Sequence, residues 1–263
     1  MLIAGMPFAK DSIFLAQPLL LDVKQRRFLV GIRFAVETTQ LSGRRLWAAL
    51  ERRHDNHEKV APETANMELF ADAWAIVDNA RRLQRLLWKM PGVEDEAVAQ
   101  GFVSRWPSLR EMRDAMQHPD KDYSKNHFGE NYVYGTLCWV DSRFRIGHGK
   151  VYAYVINAGP QANPNLNDSK FPFDVPIDSL DNIHSVVLMA GGVALSLDAL
   201  LRDICETMDK LDSVYTNAIK NILDEQKMLY PERTIKLEKK AKTDKGFRLE
   251  LTVNTSSGNA QHP

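Results

Sequence analysis

The 263-residue chain is 44% hydrophobic and 26% charged, a globular composition with enough length to bury a core in one large domain or two small ones, which excludes disorder as the main state. Its 34 Lys+Arg balance 34 Asp+Glu, so no global charge drives it to nucleic acid or to an anionic membrane, and any such attraction must come from a local patch. Two cysteines, Cys138 and Cys205, make neither a disulfide framework nor a thiolate zinc site and read as buried thiols of a reducing compartment.

In chain order, the start MLIAGMPFAKDSIF lacks a charged n-region and meets Lys10 and Asp11 after a short apolar stretch, a poor signal peptide. From 21 to 50, Leu29, Ile32, Val36, Gly43, Trp47 and Leu50 recur at three- and four-residue steps, which predicts a long first helix. The polar stretch RRHDNHEKVAPET breaks it, and 64–90 resumes in two registers, Met67, Phe70, Trp74, Val77 and Leu69, Ile76, Leu83, Leu87, the mark of a helix contacted from more than one side. Pro91-Gly92 ends that helix. A weaker helix is expected over 94–102, and Pro107 opens SLREMRDAMQH with Leu109, Met112 and Met116 on one face.

The segments NYVYGTLCWV, SRFRI and KVYAYVI, separated by Asp-Ser and Gly-His-Gly, predict a meander of two or three strands. Four prolines make 158–181 a long loop. From Ile183 the positions Val187, Ala190, Ala194, Leu197, Leu201, Ile204, Met208, Leu211, Tyr215 and Ile222 keep helical spacing to Tyr230, on the order of 70 Å if unbroken, with a kink expected at Gly191-Gly192. The longest apolar run, 186–197, is too short for the roughly 20 residues of a membrane span. The expected fold class is therefore mainly α, a helical bundle over 1–230 with a small antiparallel β insertion at about 131–157 between the third and fourth helices. Residues 231–263 are expected to be a basic, partly disordered tail, with a hairpin expected in TIKLEKKA and GFRLELTVN. The localisation expected is soluble and cytoplasmic, with no membrane partner.

Phosphate-cradling, dinucleotide, nucleophile-elbow and zinc signatures are absent from the sequence. His54 and His57 form an H-x2-H pair in a polar linker without a second ligand pair, better read as a solvated loop than as the metal site of a hydrolase. His118 stands apart, in RDAMQHP with Arg113 and Asp114. Pro119 pushes the residue before it out of the α region, so the helix should end at His118 and its imidazole can turn toward the Arg113 face. Asp114, one turn earlier, is spaced to accept from the ring and hold its tautomer.

Arg113-Asp114-x3-His118 at the end of a helix resembles the HEPN superfamily, whose α-bundle members carry an Arg, a polar residue, three variable residues and a His. The resemblance implies a HEPN-like helical bundle and a metal-independent, cofactor-free endoribonuclease, working at the interface of a homodimer with the two motifs facing each other. A toxin or defence effector is the biological setting it suggests, with RNA as substrate and an antitoxin or regulatory protein as a further partner. In that mechanism His118 is general base or acid and Arg113 holds the scissile phosphate. The 2′-hydroxyl then displaces the 5′-oxygen to leave a 2′,3′-cyclic phosphate. Toxin members paired with a nucleotidyltransferase antitoxin carry a modified Tyr two residues after the His; here that position is Asp120 and the nearest Tyr is Tyr123, so regulation by that route is not implied.

The same three residues also fit a capping and salt-bridge cluster at a helix C-terminus, which leaves a non-catalytic helical interaction or nucleotide/RNA-binding module as the alternative. Charge is uneven along the chain: 1–60 has an excess of Lys+Arg and 61–104 of Asp+Glu. Arg81, Arg82 and Arg85 on the second helix, and the basic run 236–245, are candidate phosphate-binding residues or simply solvated surface. Tyr132, Tyr134, Trp139, Tyr152 and Tyr154 offer rings for base stacking, although alternating strand aromatics more often pack.

Overall fold

The computed structural model describes residues 8, 12–16, 21–55, 63–90, 97–117, 134–146, 150–158 and 183–229. The helices are α1 (Ile13–Ala16), α2 (Val23–Asp55), α3 (Glu63–Lys89), α4 (Ala97–Arg105), α5 (Ser108–Gln117) and α6 (Leu197–Leu229). The strands β1 (Thr136–Ile146), β2 (Lys150–Asn157), β3 (Ile183–Ala190) and β4 (Val193–Ser196) lie between α5 and α6 in sequence. The protein is mostly helical with one small antiparallel sheet, and among the described residues no helix is long and apolar enough to cross a membrane.

Helix α2 begins where Asp22 and Gln25 cap each other: the Gln25 amide donates to Asp22 Oδ1 at 2.7 Å, and the Asp22 amide to Gln25 Oε1 at 3.2 Å. This reciprocal box satisfies two of the donors that every helix start leaves open. Leu29, Ile32, Val36 and Leu50 are fully buried along one side of α2, so the three- and four-residue spacing marks the core face as expected. Both registers of α3 bury as expected except Met67, which is exposed. Gln84 holds the end of α4 against α3, its amide donating to the carbonyls of Val103 and Trp106 at 3.2 and 2.9 Å; the Val103 carbonyl is one that a helix C-terminus leaves open.

The segment from Ile183 departs from the helical expectation. Residues 183–196 form the β3–β4 hairpin, and α6 begins only at Leu197. Gly191 and Gly192 take positive φ, 57° and 77°, the two left-handed positions of a tight hairpin turn rather than a kink. Helical spacing misled because nearly every residue from 186 to 195 is apolar or glycine, a run that fits a period of 3.6 as well as a strand buried on both faces. Ser196 then starts the true helix, its Oγ accepting from the Ala199 amide at 3.3 Å. At 33 residues α6 is about 50 Å long, not 70 Å.

The sheet order is β2-β1-β3-β4, every pair antiparallel. It therefore has four strands, and the predicted insertion at 131–157 covers only two of them. The expected Asp-Ser break is not a turn: β1 runs through Asp141 and Ser142, both buried, with an irregular register up to Ile146. Trp139 is buried and stacks on Tyr154 at 5.0 Å and 8°, so these two rings are core rather than a base-stacking surface. Leu137, Trp139, Val186, Leu188 and Leu195 join the helical side chains in one apolar cluster, which seats the sheet on the bundle. Of the loop expected at 158–181 only Ala158 is described, and the tail hairpin, His57, His118, Pro119, Tyr123 and Tyr132 lie outside the described residues.

Candidate functional site

On α3, Asp78, Arg81, Arg82, Arg85, Leu86 and Lys89 follow one another at steps of three, four, seven, eight and eleven from Asp78, which places them along a single helix face. The opposite face carries the buried Ile76, Ala80, Leu83 and Leu87. Burial of that apolar stripe fixes the rotation of α3 and sends its basic stripe outward. Helix α5 packs on α3 and is oriented in the same way, with Leu109 and Met112 buried.

Between them lies a cleft of about 390 Å³, lined by Phe28 from α2, by the six α3 residues, and by Arg113 and Gln117 from α5. Five cations thus face one carboxylate. Arg113 Nε donates to Asp78 Oδ1 at 3.1 Å, both side chains only partly exposed. Arg81 donates from Nη1 to Gln84 Oε1 at 3.0 Å, and Arg82 to Asn79 Oδ1 at 3.2 Å. Those contacts orient two guanidiniums without neutralising them, because Gln84 and Asn79 carry no charge.

The Arg81 guanidinium is held below the usual arginine range, first by burial, then by the neighbouring Arg110, Arg85 and Arg113, with Asp114 opposing. Like charges gathered at a partly desolvated wall raise one another's energy, and a bound anion relieves that repulsion. A phosphate suits it best, since each guanidinium presents a planar fork of donors to tetrahedral oxygens.

Of the residues singled out from sequence, Arg81, Arg82, Arg85 and Arg113 are brought into one cleft. Asp114 does not line it; its Oδ2 lies 3.5 Å from Arg110 Nε, one helical turn back on α5. His118 follows directly on Gln117, the last α5 residue and part of the cleft wall, but is itself outside the described residues. Five cleft residues escaped the sequence reading, Leu86 and Gln117 among them. Asp78 and Lys89 share the helical spacing of the arginines and were open to the same argument; Phe28 was not, because only the packing of α2 on α3 brings it there. Gly31 lets the helices meet closely, a Cβ at that position standing 3.2 Å from Leu86 Cδ1. Among the described residues no three His, Cys, Asp or Glu side chains gather as a metal site.

Compared with protein-family models, with curated proteins and with solved structures, the chain matches none.

Proposed function

We propose that the cleft between α3 and α5 binds the phosphodiester backbone of RNA and that Arg113 and His118 make it a metal-independent endoribonuclease site of HEPN type. The observation that carries the reading is the convergence of Arg81, Arg82, Arg85, Lys89 and Arg113 on one cleft with a single carboxylate. Arg113 is the cation best suited to the scissile phosphate. Asp78 engages its Nε, which orients the guanidinium within the cleft, and an oxyanion gaining charge in the transition state is stabilised most by a donor already held in place. His118, next in the chain after Gln117, is the general base that takes the 2′-hydroxyl proton as O2′ bonds to phosphorus; the P–O5′ bond breaks as the 5′-oxygen receives a proton from an imidazolium, leaving a 2′,3′-cyclic phosphate and a 5′-hydroxyl, and an imidazole suits both transfers because its free pKa lies near neutrality.

One observation favours a second reading, a cleft that holds RNA or nucleotide without cutting it. Arg113 and Asp114 both have ion-pair partners, Asp78 and Arg110, as a structural cluster at a helix end would. Cleavage of a mixed RNA pool in EDTA separates the two. The nuclease reading expects cutting by the wild-type chain and its loss in His118→Ala, with RNA affinity largely kept. Binding without cutting by either protein selects the second reading, and cutting undiminished by His118→Ala removes this residue from the mechanism.

A further inference from the structure

The face of α2 turned away from the core carries a second pattern. Val23, Arg27, Val30, Phe34, Glu37 and Leu41 follow one another at steps of four, three, four, three and four, an unbroken 3.5-residue repeat, the period of a two-helix seam. The core residues Leu29, Ile32 and Val36 lie roughly opposite it round the helix. The four apolar members are open to solvent, with Val23 55%, Val30 45%, Phe34 56% and Leu41 48% exposed. A long helix normally places polar residues at the centre of its solvent face, so four large apolar side chains there call for a covering partner.

The order of the seam says which partner. Read forward it is apolar, cation, apolar, apolar, anion, apolar; read backward, the cation and the anion exchange places. The spacing is the same in both directions. An antiparallel second copy centred on position 32 therefore sets Val23 against Leu41, Val30 against Phe34, and Arg27 against Glu37, at both ends of the seam. A parallel copy in register would set Arg27 against Arg27 and Glu37 against Glu37, which repel. Glu37 already accepts from Arg33 at 2.8 Å on its own helix, and Arg27 of a second copy would join that pair.

We propose that this face of α2 is an isologous interface and that its occupant is a second copy of this chain, paired antiparallel about position 32. A C2 interface requires one patch to be complementary to itself, and this charge order meets that condition. The seam runs for about 27 Å of helix, at the small end of interfaces that hold two proteins together, so the dimer dissociates on dilution. Phe28 lies roughly 140° round α2 from Val23; the pairing leaves the basic cleft open and does not depend on the nuclease reading.

Sedimentation of the full chain across a concentration series tests the proposal, with far-UV circular dichroism to confirm that each variant keeps its helices. The wild-type chain is expected to pass from monomer to dimer as concentration rises, and Phe34→Glu to stay monomeric. Arg27→Glu and Glu37→Arg, each alone, are expected to weaken the dimer at least tenfold, and the two together to recover it, a rescue that no effect on a single helix produces. A wild-type chain monomeric up to its solubility limit overturns the proposal and assigns the seam to a different protein or to another segment of this chain. Dimerisation of Phe34→Glu at wild-type strength, or a double variant no stronger than the singles, overturns it equally.

Discussion

Two arginine-bearing regions of the same bundle treat their charge in opposite ways. At the junction of α4 and α6, Arg105 meets Asp203 through two bonds of 3.0 and 2.7 Å, and the Trp106 indole donates to the same carboxylate at 2.6 Å. One cation is matched by one anion, and the anion's remaining capacity is taken by a neighbouring ring. At the cleft between α3 and α5 five cations share Asp78. The first arrangement joins two helices and leaves nothing over for a ligand. The second leaves an excess of positive charge that is stabilised only when something negative is brought to it.

Reversal of the cleft charge should separate the two regions most clearly. Arg82 and Arg85 are exposed, so Arg82→Glu with Arg85→Glu is expected to leave the fold intact while lowering affinity for a single-stranded RNA on the order of a hundredfold. Losing two phosphate contacts should also flatten the slope of log affinity against log salt by about 1.4, at roughly 0.7 per contact for single strands. Arg105→Glu, by contrast, should leave both quantities unchanged. If the two variants weaken RNA binding alike, the cleft has no special claim on the phosphates.

The next effect is on stability and runs the other way. Asp203→Ala removes both bonds to Arg105 and orphans the half-buried Trp106 N–H, which is expected to cost about 1–3 kcal/mol of unfolding free energy, typical of a charge-assisted hydrogen-bonded group, with RNA affinity unaltered. Asp78→Ala should show the reverse profile: little change in the urea midpoint, because Asp78 and Arg113 are both partly solvated, but tighter and more salt-dependent RNA binding once the cleft's one carboxylate is gone. Weaker binding by Asp78→Ala would instead show that the orientation Asp78 gives Arg113 counts for more in binding than the negative charge it brings to the cleft.

What could be read in advance follows from how many positions bear on each element. Helices α2 and α3 were legible because Leu29, Ile32, Val36, Leu83 and Leu87 repeat one apolar face over many turns, and the repeat has one solution. The β3–β4 hairpin was not, because an unbroken apolar run has no polar positions to fix its period; the Gly191-Gly192 pair, a turn and not a kink, is the better signal. At the cleft, Arg81, Arg82 and Arg85 on α3 and Arg113 on α5 stand out on separate grounds, and only the packing of α5 on α3 shows that they share one space. Phe28 depends entirely on that packing. Asp114 illustrates the limit of spacing arguments: one helical turn from His118 in one direction, it is equally one turn from Arg110 in the other, and its ion pair is with Arg110.

A third charged setting lies in the sheet. His184 on β3 is buried, with the charges of Asp198 at the start of α6 and Asp141 on β1 acting on it and Ser185 Oγ 3.0 Å from its Nδ1. Burial pushes its pKa below the ordinary imidazole value, and the two carboxylates only partly restore it. As pH falls through about 6.5, the unfolded chain therefore takes up a proton at this residue before the folded chain does. Stability from this group is complete above that value and declines as pH drops toward the folded pKa, by no more than about 1.4 kcal/mol per pH unit for one proton. His184→Gln, which cannot titrate, should flatten the dependence of the urea midpoint on pH between neutrality and pH 5, whatever it does to the midpoint itself. An unchanged slope would mean that Asp141 and Asp198 stabilise the imidazolium as well as water does; like Asp203 beside Arg105, they would then match the charge they face, and the unmatched positive charge of the cleft would stand out the more.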